Sequence, residues 1–221
     1  MKKTILILSA ILVAGFAFGQ MPEKFVKAME AKVAAVDTTI SVQGLTDLAN
    51  AFERIADAEK NQWLPYYYAA YCNATAGLMI GSEGDMMVAK ADKTDPYADK
   101  AEKLISKAEA LEKNSSEIYV IKKMIATLRM MGDVMSRAQT YMPEAASMLA
   151  EAKKLNPDNP RVYILDAQDK YFTPEQFGGS KEEAKKLFEK AKQLFETFKP
   201  ASTIHPNWGK GTVAYFLSQY K

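Results

Sequence analysis

The stretch AASMLAEAKKLNPDNPRVYILDAQ, residues 145–168, decides the fold. Ala145, Leu149 and Ala152 fall four and then three residues apart, which places them on one face of a helix. Pro157 follows, in a position where a helix has stopped. Asn159-Pro160 then opens another helix, a capping side chain followed by a proline whose missing N–H costs nothing in the first turn. On that second helix Tyr163 and Ala167 stand four apart. Small residues on facing sides let two helix axes approach, and a large residue fills the gap between them.

The same spacing recurs outward along the chain. Ala184, Phe188 and Ala191 repeat it, as do Ala101, Ile105 and Ala108, and Leu48, Phe52 and Ile55 give a looser version. Counting eleven residues on from Ile55, Ala108 and Ala152 reaches Tyr66, Tyr119 and Tyr163. Four further on stand Ala70, Lys123 and Ala167, of which Lys123 breaks the small-residue rule. This pattern resembles the tetratricopeptide (TPR) repeat, and Trp208 takes the aromatic place in a final half-repeat. The first positions of the pattern, 48, 101, 145 and 184, are separated by 53, 44 and 39 residues, against ~34 in an ordinary TPR. The excess falls in residues 81–95, 132–142 and 173–179, which are expected to be insertions. The resemblance implies a right-handed stack of helix pairs whose concave face binds a peptide or another protein.

The expected fold is therefore all-α: degenerate TPR-like helical hairpins forming an α-solenoid of about nine helices. They are expected near 22–36, 45–60, 63–80, 96–112, 115–131, 143–155, 160–172, 181–198 and 206–220. Asp95-Pro96 reads as a helix start of the same kind as Asn159-Pro160. Asn114-Ser115-Ser116-Glu117 and Ser180-Lys181-Glu182-Glu183 have capping-box spacing. Alternating β-branched residues are nearly absent; Thr38 to Val42 is the best candidate strand, too short to carry a sheet.

The N-terminus carries Lys2 and Lys3, an apolar run from Thr4 to Phe18, then Ala17-Phe18-Gly19 before Gln20. Basic, apolar and small-x-small segments in that order form a secretory signal peptide, and the run is shorter than the ~20 residues that span a bilayer. Residues 1–19 are thus expected to be removed, leaving 20–221 as a single helical domain in the periplasm or outside the cell. The cut takes two of the 29 basic residues and none of the 27 acidic ones, so the two signs become equal. Such a chain lacks the basic footprint of a nucleic-acid binder and the polybasic patch of a membrane-surface protein. No stable membrane insertion is expected after cleavage. With Ala17-Phe18-Gly19-Gln20 at the expected cleavage site, the whole chain also resembles small secreted TPR-like proteins of the Bacteroidetes type.

Little in the chain suggests chemistry. One Cys and one His exclude disulfides and multi-histidine metal sites. Gly209-Lys210-Gly211-Thr212-Val213-Ala214 matches a dinucleotide-binding pattern, yet no strand precedes it and no βαβ unit follows. Cys72 lies in an apolar helix and reads as a structural thiol. His205 precedes Pro206 and reads as a capping residue. Asp92, Asp95 and Asp99 lack the spacing of a calcium loop. The expectation is no enzyme, no metal and no cofactor.

Two clusters remain. Residues 63–71, WLPYYYAAY, place five aromatics on fewer than three turns, so that helix is either covered on a second side or open to a ligand. Met124, Met130, Met131, Met135, Met142 and Met148 form the other cluster, adaptable side chains suited to irregular packing or a tolerant surface. Carrying the TPR groove positions onto this register gives Tyr67, Tyr71, Met124, Arg161, Gln168 and Tyr171 as the ligand-facing set. The leading expectation is a binding or scaffold module that takes a peptide or protein on this concave face. The alternative is a small-molecule carrier serving an uptake system through an aromatic pocket. The insertions, above all 81–95, are the segments expected to fill the groove if anything does.

Overall fold

The computed structural model describes residues 21–220. Nine α-helices and one 3-10 turn occupy them, with no strand among the described residues. In chain order they are α1 (Glu23–Val36), α2 (Val42–Ala58), α3 (Trp63–Ser82), α4 (Ala91–Leu111), α5 (Ser116–Gly132), α6 (Val134–Leu155), α7 (Pro160–Phe172), the 3-10 turn Glu175–Phe177, α8 (Lys181–Thr197) and α9 (Lys210–Ser218). The signal-peptide segment lies outside the described residues.

Neighbours in sequence pack as antiparallel-type hairpins: α2 with α3, α3 with α4, α5 with α6, and α7 with α8. Across hairpins, α3 touches α5 and α5 touches α7, so these three helices form one continuous inner row. The alanine rule explains the close packing. Ala101, Ala108, Ala152, Ala184 and Ala191 are all fully buried, and Ile105 and Phe188 fill the spaces between them. In α2 the register is displaced by three residues: Leu45, Ala49, Phe52 and Ala56 are buried, while Leu48 and Ile55 are only half-buried. The three anchor tyrosines each sit beneath a lysine: Lys107 over Tyr66 at 5.4 Å, Lys122 over Tyr119 at 5.1 Å and Lys153 over Tyr163 at 5.2 Å. Lys123, the misfit in the small-residue row, is buried and neutralised by Asp169 at 2.6 Å.

Two starts differ from the sequence expectation. Pro96 and Pro143 lie inside α4 and α6 instead of opening them. Residues 134–142 are therefore helix, not an insertion, and the loop after α3 shrinks to residues 83–90. A proline inside a helix frees the carbonyl four residues back. Here those carbonyls belong to Asp92 and Gln139, both exposed residues, where an unpaired backbone oxygen costs least. Asp95 does not cap; its carboxylate accepts two hydrogen bonds from Arg137, at 2.7 and 2.9 Å. Asn159 and Ser180 do cap, accepting from Arg161 N–H and Glu183 N–H. The N-cap of α5 is Ser115, one residue later than the Asn114–Glu117 spacing expects; it forms no side-chain cap, and Glu117 bonds Arg161. Thr38 and Thr39 form the turn closing α1, and Ser41 caps α2.

Candidate functional site

The inner row carries the aromatic helix α3. Every residue from Leu64 to Ala74 is buried, which explains a helix apolar all round: it is covered on every side. Tyr66 donates its hydroxyl to the Ala56 carbonyl at 3.3 Å, and Tyr68 stacks on Phe52 with centroids 5.0 Å apart. What covers the remaining side is not the loop after α3 but the irregular segment 198–209 between α8 and α9. Tyr68 donates to the Ile204 carbonyl at 3.1 Å, and Trp208 Nε1 donates to the Tyr67 hydroxyl at 2.9 Å. The Trp208 ring lies 4.5 Å from Tyr71, and His205 meets Trp63 edge-on at 5.9 Å. At its end, Gly209 N–H donates to Asp37 at 3.0 Å. Gly209 has φ +105°, and a Cβ there would stand 2.6 Å from Ile164 Cδ1, so glycine alone fits.

Beneath this strap lies a buried ion pair. Arg161 is fully enclosed at the start of α7; its Nε donates to both oxygens of Glu117 at 2.9 Å and its Nη2 to Oε1 at 2.6 Å. Tyr67 and Asn159 also donate to that carboxylate, at 2.9 and 2.8 Å. The guanidinium faces the Phe198 ring at 4.7 Å and the Trp208 ring at 5.8 Å. Buried charge survives only with such partners. Burial and the nearby Glu117 together push the Tyr67 phenol well above its ordinary value, so it stays a neutral donor.

The six sequence-derived ligand residues separate accordingly. Tyr67, Tyr71 and Arg161 come together, but under the strap, and Met124 is buried as well. They do not form an open face. Gln168 and Tyr171 are half-buried. Tyr171 belongs to a different cluster, edge-on to Phe172 at 5.1 Å and to Phe216 of α9 at 5.0 Å. The methionine cluster splits too, with Met135 and Met142 exposed.

An open groove lies instead between α8 and α9. It encloses about 560 Å³ and is lined by Lys192, Phe195 and Glu196 from α8 and Lys210, Val213, Ala214, Leu217 and Ser218 from α9. Phe195, Val213, Ala214 and Leu217 make its floor. Lys210 Nζ stands 5.6 Å above the Phe195 ring. Neither Lys192 nor Lys210 pairs with a carboxylate among the described residues. The signal for this groove was present in the spacing Lys210, Val213, Ala214, Leu217, one stripe of a helix.

Reactive groups are muted. Burial pushes the Cys72 thiol up to about 12, so it is protonated at neutral pH. Burial holds the His205 imidazole below its ordinary 6.5, with Glu117 opposing weakly, and its Nδ1 lies 2.7 Å from Ser202 Oγ. Among the described residues no three His, Cys, Asp or Glu side chains gather to hold a metal ion, and no helix is long and apolar enough to cross a membrane.

No protein-family model matches the chain, and no curated protein matches it. A solved structure does: the HusA haemophore from Porphyromonas gingivalis, 34% identical, superimposing with a TM-score of 0.75. The match covers 91% of this chain and 96% of that one, and that neighbour is, by its name, a carrier and not an enzyme. With that identity over nearly the whole of both chains, the protein belongs to the HusA haemophore family.

Proposed function

We propose that the protein is a non-catalytic carrier of haem, built from TPR-like hairpins as a single domain from Gln20 to Lys221. Residues 1–19 direct its export to the periplasm or the cell exterior. The observation that carries this reading is the 34% identity to a haemophore over 96% of its length. Haem is a flat apolar macrocycle edged by two carboxylates. A protein that holds it without reacting with it needs a wide apolar surface with cations at the margin, and small-molecule sites of this kind measure ~300–1,000 Å³. The α8–α9 groove, at about 560 Å³, has that size and that lining. Carriage also calls for a protein partner that delivers or receives the cargo. Equal numbers of basic and acidic residues after export give no support to nucleic-acid binding.

The peptide-binding reading has less support. Its surface, Tyr67, Tyr71 and Arg161, is covered by the strap: Trp208 bonds the Tyr67 hydroxyl and lies against Tyr71, and Glu117 holds one side of the guanidinium.

The test is titration of haemin into the exported form, residues 20–221, followed by absorbance of the porphyrin. A saturable spectral change, with release to an acceptor protein, is expected. Absence of any complex while circular dichroism shows intact helices would overturn the reading.

A further inference from the structure

We infer that the groove between α8 and α9 is the haem seat, with Lys192 and Lys210 as the pair that takes the two carboxylates. This inference rests on the haem-carrier reading and adds the place and the recognising residues. The groove is lined from both helices, by Phe195 of α8 and by Val213, Ala214 and Leu217 of α9. The Phe195 ring carries the Lys210 ammonium over it, which holds that cation at the groove, and Val213, Ala214 and Leu217 offer aliphatic contact. Both apolar stripes are already paid for by the fold: Val213 packs beneath into the cluster of Ile164, Phe188 and Phe216, so the floor is preformed.

Charge decides the occupant. Lys192 and Lys210 have no carboxylate partner among the described residues, as is true of most lysines there; what sets these two apart is their place in the lining of the apolar groove. Two unpaired cations beside an apolar floor complement a flat apolar dianion. Glu196 shares the lining and opposes it, standing one helical turn beyond Lys192. Its repulsion keeps the seat from being a general anion trap and gives the proposal a sign: removing that charge should tighten binding. The inner aromatic cluster is a poorer seat, because Tyr68, Tyr67 and Asp37 already bind the strap.

The experiment compares haemin with its dimethyl ester, which keeps the ring and loses both charges. The double variant Lys192→Glu with Lys210→Glu should weaken haemin about tenfold, the order expected from reversing two exposed charges, and should change ester binding less than about twofold. Glu196→Gln should tighten haemin by about twofold. Ala214→Trp, at an exposed helical position, fills the groove and should weaken both ligands at least tenfold. Circular dichroism of each variant confirms the helices. If wild-type protein binds haemin and all three variants bind it as wild type does, the seat lies elsewhere and the inference falls while the carrier reading stands. If wild-type protein binds neither ligand, both fall.

Discussion

Arg161 shows why a residue cannot be assigned to a ligand by position alone. Its place on the inner row is the one the repeat register gives it, but it is fully buried and held by Glu117 through three hydrogen bonds. Breaking a buried pair from one side leaves an uncompensated charge. Glu117→Gln should therefore cost ~3–5 kcal/mol in urea unfolding, whereas Glu151→Gln, which disturbs only the exposed pair with Lys154, should cost under ~0.5 kcal/mol. Equal effects would mean that the buried pair does not hold α5 to α7. His205 gives a second prediction. Its imidazole is depressed by burial in the strap, so above pH 6.5 it is neutral in both folded and unfolded chains and stability is complete. As pH falls below 6.5 the unfolded chain takes the proton first, and stability drops until the folded value is passed. It is the chain's single histidine, so His205→Gln should lose less melting temperature between pH 7 and 5.5 than wild type. Parallel pH profiles would contradict the burial argument.

Most helices were readable because their signals are local. Caps at Asn159 and Ser180, and the alanine rows of α4, α6 and α8, are set by residues within one or two turns. Pro96 and Pro143 were misplaced for the same reason. A proline opening a helix and a proline inside one leave the same local trace, and only the exposure of Asp92 and Gln139 separates them. The strap was not readable at all. Its anchors join Tyr68 to Ile204 and Tyr67 to Trp208, residues 136 and 141 apart, and no periodicity reports such a contact. The hairpin packing itself is testable. Ala152 is fully buried against its partner helix, so Ala152→Leu should overpack it and lose ~1–3 kcal/mol. Lys154→Ala, on the exposed side of the same helix, should lose under ~0.5 kcal/mol. Similar thermal melts for the two would mean that α6 packs through another face.

Taken together, the helices make two different surfaces from one stack. The inner row spends its aromatic residues on holding the strap, and the two buried clusters, one around α3 and α5 and the other around α7, α8 and α9, meet through Tyr163. The C-terminal cluster leaves an open groove, whose apolar stripe was visible in the sequence but whose partner stripe on α8 depends on how two helices cross. That division leaves the aromatic helix under the strap and the open apolar surface between α8 and α9. Hydrogen exchange of residues 20–221 with and without haemin tests this most directly. Added haemin should slow exchange in the amides of Lys192–Glu196 and Lys210–Ser218 and leave Trp63–Tyr71 unchanged. Protection centred on Trp63–Tyr71 and on the strap, with none in α8 and α9, would contradict it.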